Sequence, residues 1–449
     1  MAQGETKPAT GPLRVHPHNP RYFSDPSGKV VYLTGSHVWY NFKDMGFSDP
    51  PPAFDYLGYL DLLQRYQHNF IRLWTTETVR WTGAAQNGLI NYPFPWPRTG
   101  PGVALDGKPK FDLSRFNPEY FDRLRSRVSL AGQRGIYVAI MLFEGWGLRF
   151  SDVPTASTGH PFHLQNNVNG INGDPDNDGT ILEIHTLGIP SVLEVEEAYV
   201  RHVIDTVNDL DNVLYEIANE DHSGSKAWQA ELVRFIKRYE AEKPKQHPVG
   251  MTSGGTYEDT DELLQSPADW ISPPSRKYDY KTNPPRSTGE KVILLDTDHL
   301  GGRRAGDRIW VWKSFARGMN PIFMDGSLPL AAENLPQAEE VRLAMGHARS
   351  YAERMDMASA VPHGELASSG YCLASPGHEY LVFLPSGGPV KVDLTASARA
   401  SQVEWFDPVK AVTYTGGTVV GGAKRSLVAP FNGPAVLYLH SSNQAPSLD

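Results

Sequence analysis

Polar residues that directly follow apolar runs carry most of the chemistry legible in this chain. Val30-Val31-Tyr32-Leu33-Thr34 leads into Gly35-Ser36-His37, with Trp39 just beyond. Phe70-Ile71-Arg72-Leu73-Trp74 holds an arginine inside such a run. The run from Ile136 to Phe143 ends on Glu144-Gly145-Trp146, and Tyr215-Glu216-Ile217-Ala218 ends on Asn219-Glu220. Val292-Ile293-Leu294-Leu295 delivers Asp296, Asp298 and His299, and Pro321-Ile322-Phe323-Met324 delivers Asp325. Two carboxylates brought face to face can divide the work of acetal hydrolysis. One protonates the leaving oxygen, and the other attacks the anomeric carbon or activates water. Glu220 is the candidate proton donor, and Asp296 or Asp298 its candidate partner. His37, Trp39, Arg72, Trp74, Glu144, Trp146, Asn219 and His299 are candidate contacts to a substrate, by hydrogen bond or by ring stacking. Each also has a purely structural alternative, as a packing residue or a buried charge partner.

The elements that must position these residues follow from hydrophobic periodicity. Uninterrupted apolar runs read as strands buried on both faces, and between them apolar residues recur at helical spacing. Tyr56, Leu60, Leu63 and Tyr66 form one such stripe, and Trp228, Leu232, Phe235, Ile236 and Tyr239 another. Asn117-Pro118 is a helix start, with proline at the first helical position, and Gly135 a helix stop. Short candidates at His247 to Met251 and Asp269 to Ser272 bring the strand count to eight, which matches a (β/α)8 TIM barrel over residues 14–356. Such barrels build their sites at the carboxyl ends of the strands, where the residues above fall. A doubly wound sheet would place a glycine-rich phosphate turn after its first strand, and Gly35-Ser36-His37 is not one. Residues 1–13 read as a disordered lead. From 357 to 449 short alternating segments separated by Gly, Pro and Ser predict a small C-terminal all-β sandwich.

Two long excursions, 78–110 and 147–190, read as surface loops that wall in the site. The second contains Asn166, Asn167 and Asn169, whose amides are neutral partners for sugar hydroxyls or simply turn formers. It also holds Asp174-Pro175-Asp176-Asn177-Asp178-Gly179, the first half of a calcium loop. The closing Glu is absent. His185 stands at that spacing and Glu183 is near. A structural calcium at Asp174, Asp176 and Asp178 and a solvated acidic turn are the alternatives. No cofactor is required by the chemistry above.

Taken in order, these motifs resemble the clan A glycoside hydrolases. In that clan a Glu after strand four is the acid/base and a strand-seven carboxylate is the nucleophile. The resemblance implies that Glu220 is the acid/base and that Asn219 holds a sugar hydroxyl. It also implies that Arg72 braces the nucleophile. Tyr32-Leu33-Thr34-Gly35-Ser36-His37 and Leu295-Asp296-Thr297-Asp298-His299-Leu300 are more similar to a bacterial, cellulase-like branch with a C-terminal β-domain labelled collagen-binding, which Trp405-Phe406-Asp407-Pro408 fits. The clan places Glu at the strand-seven position, whereas this chain has aspartates. Asp is one methylene shorter, so the carboxylates could sit farther apart than the roughly 5–5.5 Å of retaining enzymes. Position in the strand favours Asp296 as the counterpart, with Asp298 as the alternative. The implied activity is cleavage of glycosidic bonds in an oligo- or polysaccharide. A non-catalytic carbohydrate-binding barrel is the other reading.

Bulk properties exclude several other classes. Net charge is −9 with no basic run longer than Arg303-Arg304, which argues against nucleic acid as a partner. No stretch is apolar enough to span a membrane. His378-Glu379 lacks the second histidine of a zinc protease motif. The lone Cys372 precludes an intrachain disulfide. The amino terminus shows no charged-then-apolar leader, so localisation stays open. Secretion or a periplasmic site fits a chain whose leader has been removed, and the cytoplasm fits otherwise. The oligomeric state is not legible.

Overall fold

The computed structural model describes residues 7–81, 89–149, 158–253, 260–326 and 335–441. Eight parallel strands form the central sheet: β1 (Gly35–His37), β2 (Phe70–Trp74), β3 (Tyr137–Glu144), β4 (Val213–Asn219), β5 (Val249–Thr252), β6 (Trp270–Ser272), β7 (Val292–Asp296) and β8 (Asn320–Met324). They are hydrogen-bonded in the order β1-β8-β7-β6-β5-β4-β3-β2. The remaining seam, between β1 and β2, is joined where Asn69 N donates to Thr34 O (3.0 Å). The result is a (β/α)8 barrel. Helices α1 (Tyr56–Arg65), α2 (Pro118–Gln133), α3 (Pro190–Val207), α4 (Lys226–Glu240), α5 (Thr260–Gln265), α6 (Arg308–Ala316) and α7 (Ala338–Arg354) follow β1 to β5, β7 and β8 in turn. No helix lies between β6 and β7, whose connecting residues are all described.

Alternation along each strand sorts residues into two cores. In β3, Val138, Ile140 and Leu142 point outward into the layer shared with the helices. Tyr137 and Ala139 point inward and stack with Phe70, Leu214, Trp270 and Leu294 at the base of the barrel. Trp270 reaches the axis because residue 250 is glycine, where a Cβ would lie 1.9 Å from the indole. The same alternation puts Arg72 and Trp74, Glu216, and Asp296 on the inner wall above this apolar plug. Helix starts follow the sequence signals. Asn117 caps α2 by accepting from Glu119 N (3.2 Å), and Asp307 caps α6 by accepting from Trp310 N (2.7 Å).

Two expectations are corrected. Val30-Val31 is not a barrel strand; it pairs antiparallel with Phe23–Ser24 in a small sheet. The barrel strand begins at Gly35, because side-chain amides take the preceding backbone: Asn320 Oδ1 accepts from Leu33 N (3.1 Å) and Asn69 Oδ1 from Thr34 N (3.0 Å). The lead is also ordered where described. Thr10 exchanges hydrogen bonds with the Tyr137 hydroxyl, and Leu13 is buried in the basal plug.

After α7 the chain forms eight antiparallel strands, β9 (Val361–Pro362), β10 (Cys372–Ser375), β11 (Glu379–Leu384), β12 (Pro389–Asp393), β13 (Ser401–Asp407), β14 (Val412–Val419), β15 (Lys424–Val428) and β16 (Ala435–Ser441). They make a sheet of order β9-β10-β11-β16-β13-β14 and a two-stranded sheet β12-β15. Trp405 is buried in the core between them, so it is not a stacking platform. The opposite face of the large sheet continues the barrel's outer layer. Phe383 lies against Trp312 of α6 (ring centroids 6.2 Å apart) and Phe406 against Tyr351 of α7 (5.8 Å). Asp407 accepts from Val409 N and Lys410 N in a tight turn. The Trp405-Phe406-Asp407 motif is thus engaged in packing and turn formation.

Candidate active site

Arg72 organises the inner wall at the carboxyl ends of the strands. Its guanidinium is buried and meets Glu216 in a fork, with Nε donating to Oε2 (2.8 Å) and Nη2 to Oε1 (2.5 Å). Nη1 donates to Asp296 Oδ2 (3.1 Å) and Asp298 Oδ2 (2.9 Å), and Nη2 also donates to Asn219 Oδ1 (2.7 Å). One fixed cation therefore serves three carboxylates, a geometry suited to arginine's planar fork. Trp74 lies beside it, 5.0 Å from guanidinium carbon to ring centre.

The two strand-seven aspartates have different surroundings. Asp296 is 1% exposed and fully engaged: Oδ2 accepts from Arg72 and from His37 Nε2 (2.7 Å), and Oδ1 accepts from Asp298 N (3.0 Å). The indole of Trp74 donates to His37 Nδ1 (3.0 Å), which leaves the ring proton on Nε2, aimed at Asp296. Burial alone would raise the Asp296 carboxyl, but His37 and Arg72 hold it well below the usual carboxylate range. Asp298 is 8% exposed and lines the cavity above. Burial raises its carboxyl, opposed by Arg72 and reinforced by Asp296.

Glu220 follows β4 in a left-handed backbone conformation, φ 44°, which a side chain bearing Cβ adopts only where its neighbours fix the turn. Asn219 before it is held by Arg72. Glu220 lines the same cavity as Asp298, and its carboxylate is 3.9 Å from Arg149 Nη2. Burial and the facing Asp298 push its carboxyl up to about 8. The cavity measures about 900 Å³. Trp39, Phe47, Trp74 and Trp146 contribute aromatic surface, and Ser253, Ser275, Arg276, His299 and Arg303 polar surface. His299 Nδ1 meets Ser272 Oγ (2.7 Å), and burial lowers its imidazole to about 3, so the ring is neutral.

The structure brings Trp39, Trp74, Trp146, Asn219, Glu220, Asp298 and His299 to the cavity wall. His37, Arg72 and Asp296 lie beneath it. Glu144 is likewise a support: its Oε1 accepts from Trp146 N (2.7 Å) and Asn219 Nδ2 (3.4 Å). Asn166 and Asn167 do not line the cavity. Asn166 Nδ2 donates to Thr158 O and His160 O while its Oδ1 accepts from Leu105 N of the other excursion (2.9 Å), and Asn167 Nδ2 donates to Pro161 O, His163 O and Ile171 O, so both amides are spent on loop structure. Asp325 turns away to Arg342 of α7 (2.6 Å). Ligand atoms of Asp174, Asp176, Asp178 and Glu183 lie within 4.8 Å of one another, but His185, the residue at the closing spacing, points to Asp221 instead.

Sequence reasoning missed Glu216 as a member of the site. A charged residue within an apolar strand was the available signal. Phe47 and Arg276 come from irregular segments and Arg303 from the short 3-10 turn Gly302–Arg304, and they carried none.

No protein-family model matches the chain, and no curated protein matches it by sequence. Among solved structures it is similar to a glycoside hydrolase with a TM-score of 0.64 and 12% identity, over 97% of this chain and 98% of the other. It is also similar to a glycoside hydrolase of family 5 from Bacteroides vulgatus ATCC 8482, with a TM-score of 0.62 and 12% identity, over 98% and 96% of the two chains. The likeness is one of fold. It spans the barrel and the C-terminal sandwich together.

Proposed function

We propose that the protein is a glycoside hydrolase acting on O-glycosyl bonds of a carbohydrate, with Glu220 as proton donor and Asp298 as the second carboxylate. One observation carries this reading: Glu220 and Asp298 line a single aromatic-walled cavity at the carboxyl end of a (β/α)8 barrel. Two facing carboxyls in a buried site do not readily ionise together. Arg72, 2.9 Å from Asp298, favours the charge there and leaves the proton on Glu220. This division of roles is what glycosidic cleavage needs. Asp296, saturated by His37, Arg72 and the Asp298 amide, acts as the brace of the arginine. The glycoside hydrolases that share the fold support the same reaction class. Turnover of a panel of aryl glycosides and oligosaccharides by the wild type, reduced in Glu220→Gln most where the leaving group needs a proton, is the expected result. Equal behaviour of the two on every substrate cleaved would refute the proposal.

A further inference from the structure

Behind Glu220 lies a second buried charge cluster with no part in the chemistry above. Asp221, the next residue, is fully buried, and its Oδ2 is 2.9 Å from Nδ1 of His185, which is buried too. His185 belongs to the helical turn Leu182–His185 in the excursion after β3. Its ring stacks on Trp228 of α4, centroids 4.3 Å apart and planes 13° from parallel. Asp221 Oδ1 accepts from His222 N (2.7 Å). The exit turn of β3 closes on the same residue: a Cβ at Gly145 would lie 2.3 Å from Asp221 Cα, and Gly145 N donates to Asn219 O (2.8 Å). Glu220 thus sits between two anchored neighbours, Asn219 held by Arg72 and Asp221 held by His185. That clamp explains how a glutamate keeps a φ of 44°.

We propose that the His185–Asp221 ion pair is the positioning device of the acid/base: it pins the left-handed turn that aims Glu220 into the cavity. The inference rests on the reading of Glu220 as proton donor. His185 also faces Glu196 of α3 and Glu77 after β2, with His160 and His222 as neighbouring imidazoles. Glu220 faces Asp298, Arg149, Arg72 and Asp296, and Glu144 lies near. Burial disfavours charge on His185, but Asp221 above all, with Glu196 and Glu77, outweighs it and raises the imidazole to about 9.

The test is a pair of variants read by pH profile. His185→Gln unpins the turn, and a Glu220 carboxyl no longer held in its buried place facing Asp298 loses the cause of its raised value. The alkaline limb of kcat moves down by about 1 pH unit. At the optimum kcat falls roughly tenfold with KM little changed, the mark of misplacement rather than lost binding. Adding Asp221→Asn changes limb and kcat little further, because the turn is already unpinned. Asp221→Asn alone is nearly isosteric and separates misplacement from unfolding: kcat falls while cooperative melting is kept. Full activity in that variant, or a limb that stays put in His185→Gln, overturns the proposal. The same shift can be read without turnover, from the pH at which the stability of each background parts from that of its Glu220→Gln derivative. Absence of turnover in every form would count against the glycosidase reading alone, and the stability curves would still decide the role of the pair.

Discussion

Replacing Glu220 by Gln should stabilise the protein while removing its proton donor, and the gain should depend on pH in a calculable way. The carboxyl titrates at the ordinary 4.5 in the unfolded chain and at about 8 in the folded one. Between those values the folded state binds a proton that the unfolded state has released. Stability therefore falls as pH rises through that window, at up to about 1.4 kcal/mol per pH unit. The stabilisation is complete below the unfolded value and has been lost by the time pH passes the folded one. By pH 7 the loss is on the order of 3 kcal/mol. A glutamine cannot titrate, so this slope vanishes in the variant. For a chain of 449 residues the difference amounts to a melting-temperature gap of roughly 3 °C, opening between pH 4.5 and 7.5. Calorimetry of both proteins across that range measures it. Parallel stability curves, or a gap that opens toward acid, would refute the claim that the fold holds Glu220 protonated.

Other consequences follow from the same contacts. Arg72→Met leaves Glu216, Asp296 and Asp298 without their shared cation, and denaturant unfolding should show a loss of about 3–5 kcal/mol. Asn167→Ala deletes an amide bonded to three carbonyls; it should cost about 1–3 kcal/mol and leave KM nearly unchanged, since the residue is remote from the cavity lining. The rate profile should be bell-shaped, with its alkaline limb near the Glu220 value of about 8 and its acid limb set by protonation of Asp298. A profile that keeps rising above pH 9 would contradict that assignment.

The barrel was legible because its longer strands, such as Tyr137–Glu144 and Val292–Asp296, are largely apolar on both faces, as a buried parallel sheet requires. Strand ends were legible for the same reason: Asn219, Glu220 and Asp298 stand where apolar runs stop. What was not legible depended on contacts distant in sequence. Asp296 and Asp298 are two residues apart and equally acidic, and only Arg72 and His37, from other strands, show which is enclosed. Asn166 and Asn167 look like sugar ligands by type, yet loop closure consumes their amides. His185 fits a calcium spacing by count, but its ring packs on Trp228 and faces Asp221. The Val30-Val31 run was misplaced because periodicity cannot see Asn69 and Asn320 taking the backbone that follows.

The central claim, proton donation by Glu220 to a glycosidic oxygen, is tested most directly by leaving-group dependence. Wild type and Glu220→Gln would be compared on two glycosides of one sugar, one with a leaving group that departs without a proton and one that requires it. The account predicts that Glu220→Gln loses at least about a thousandfold in kcat/KM on the second and far less on the first. Equal losses on both, or no loss on either, would contradict it.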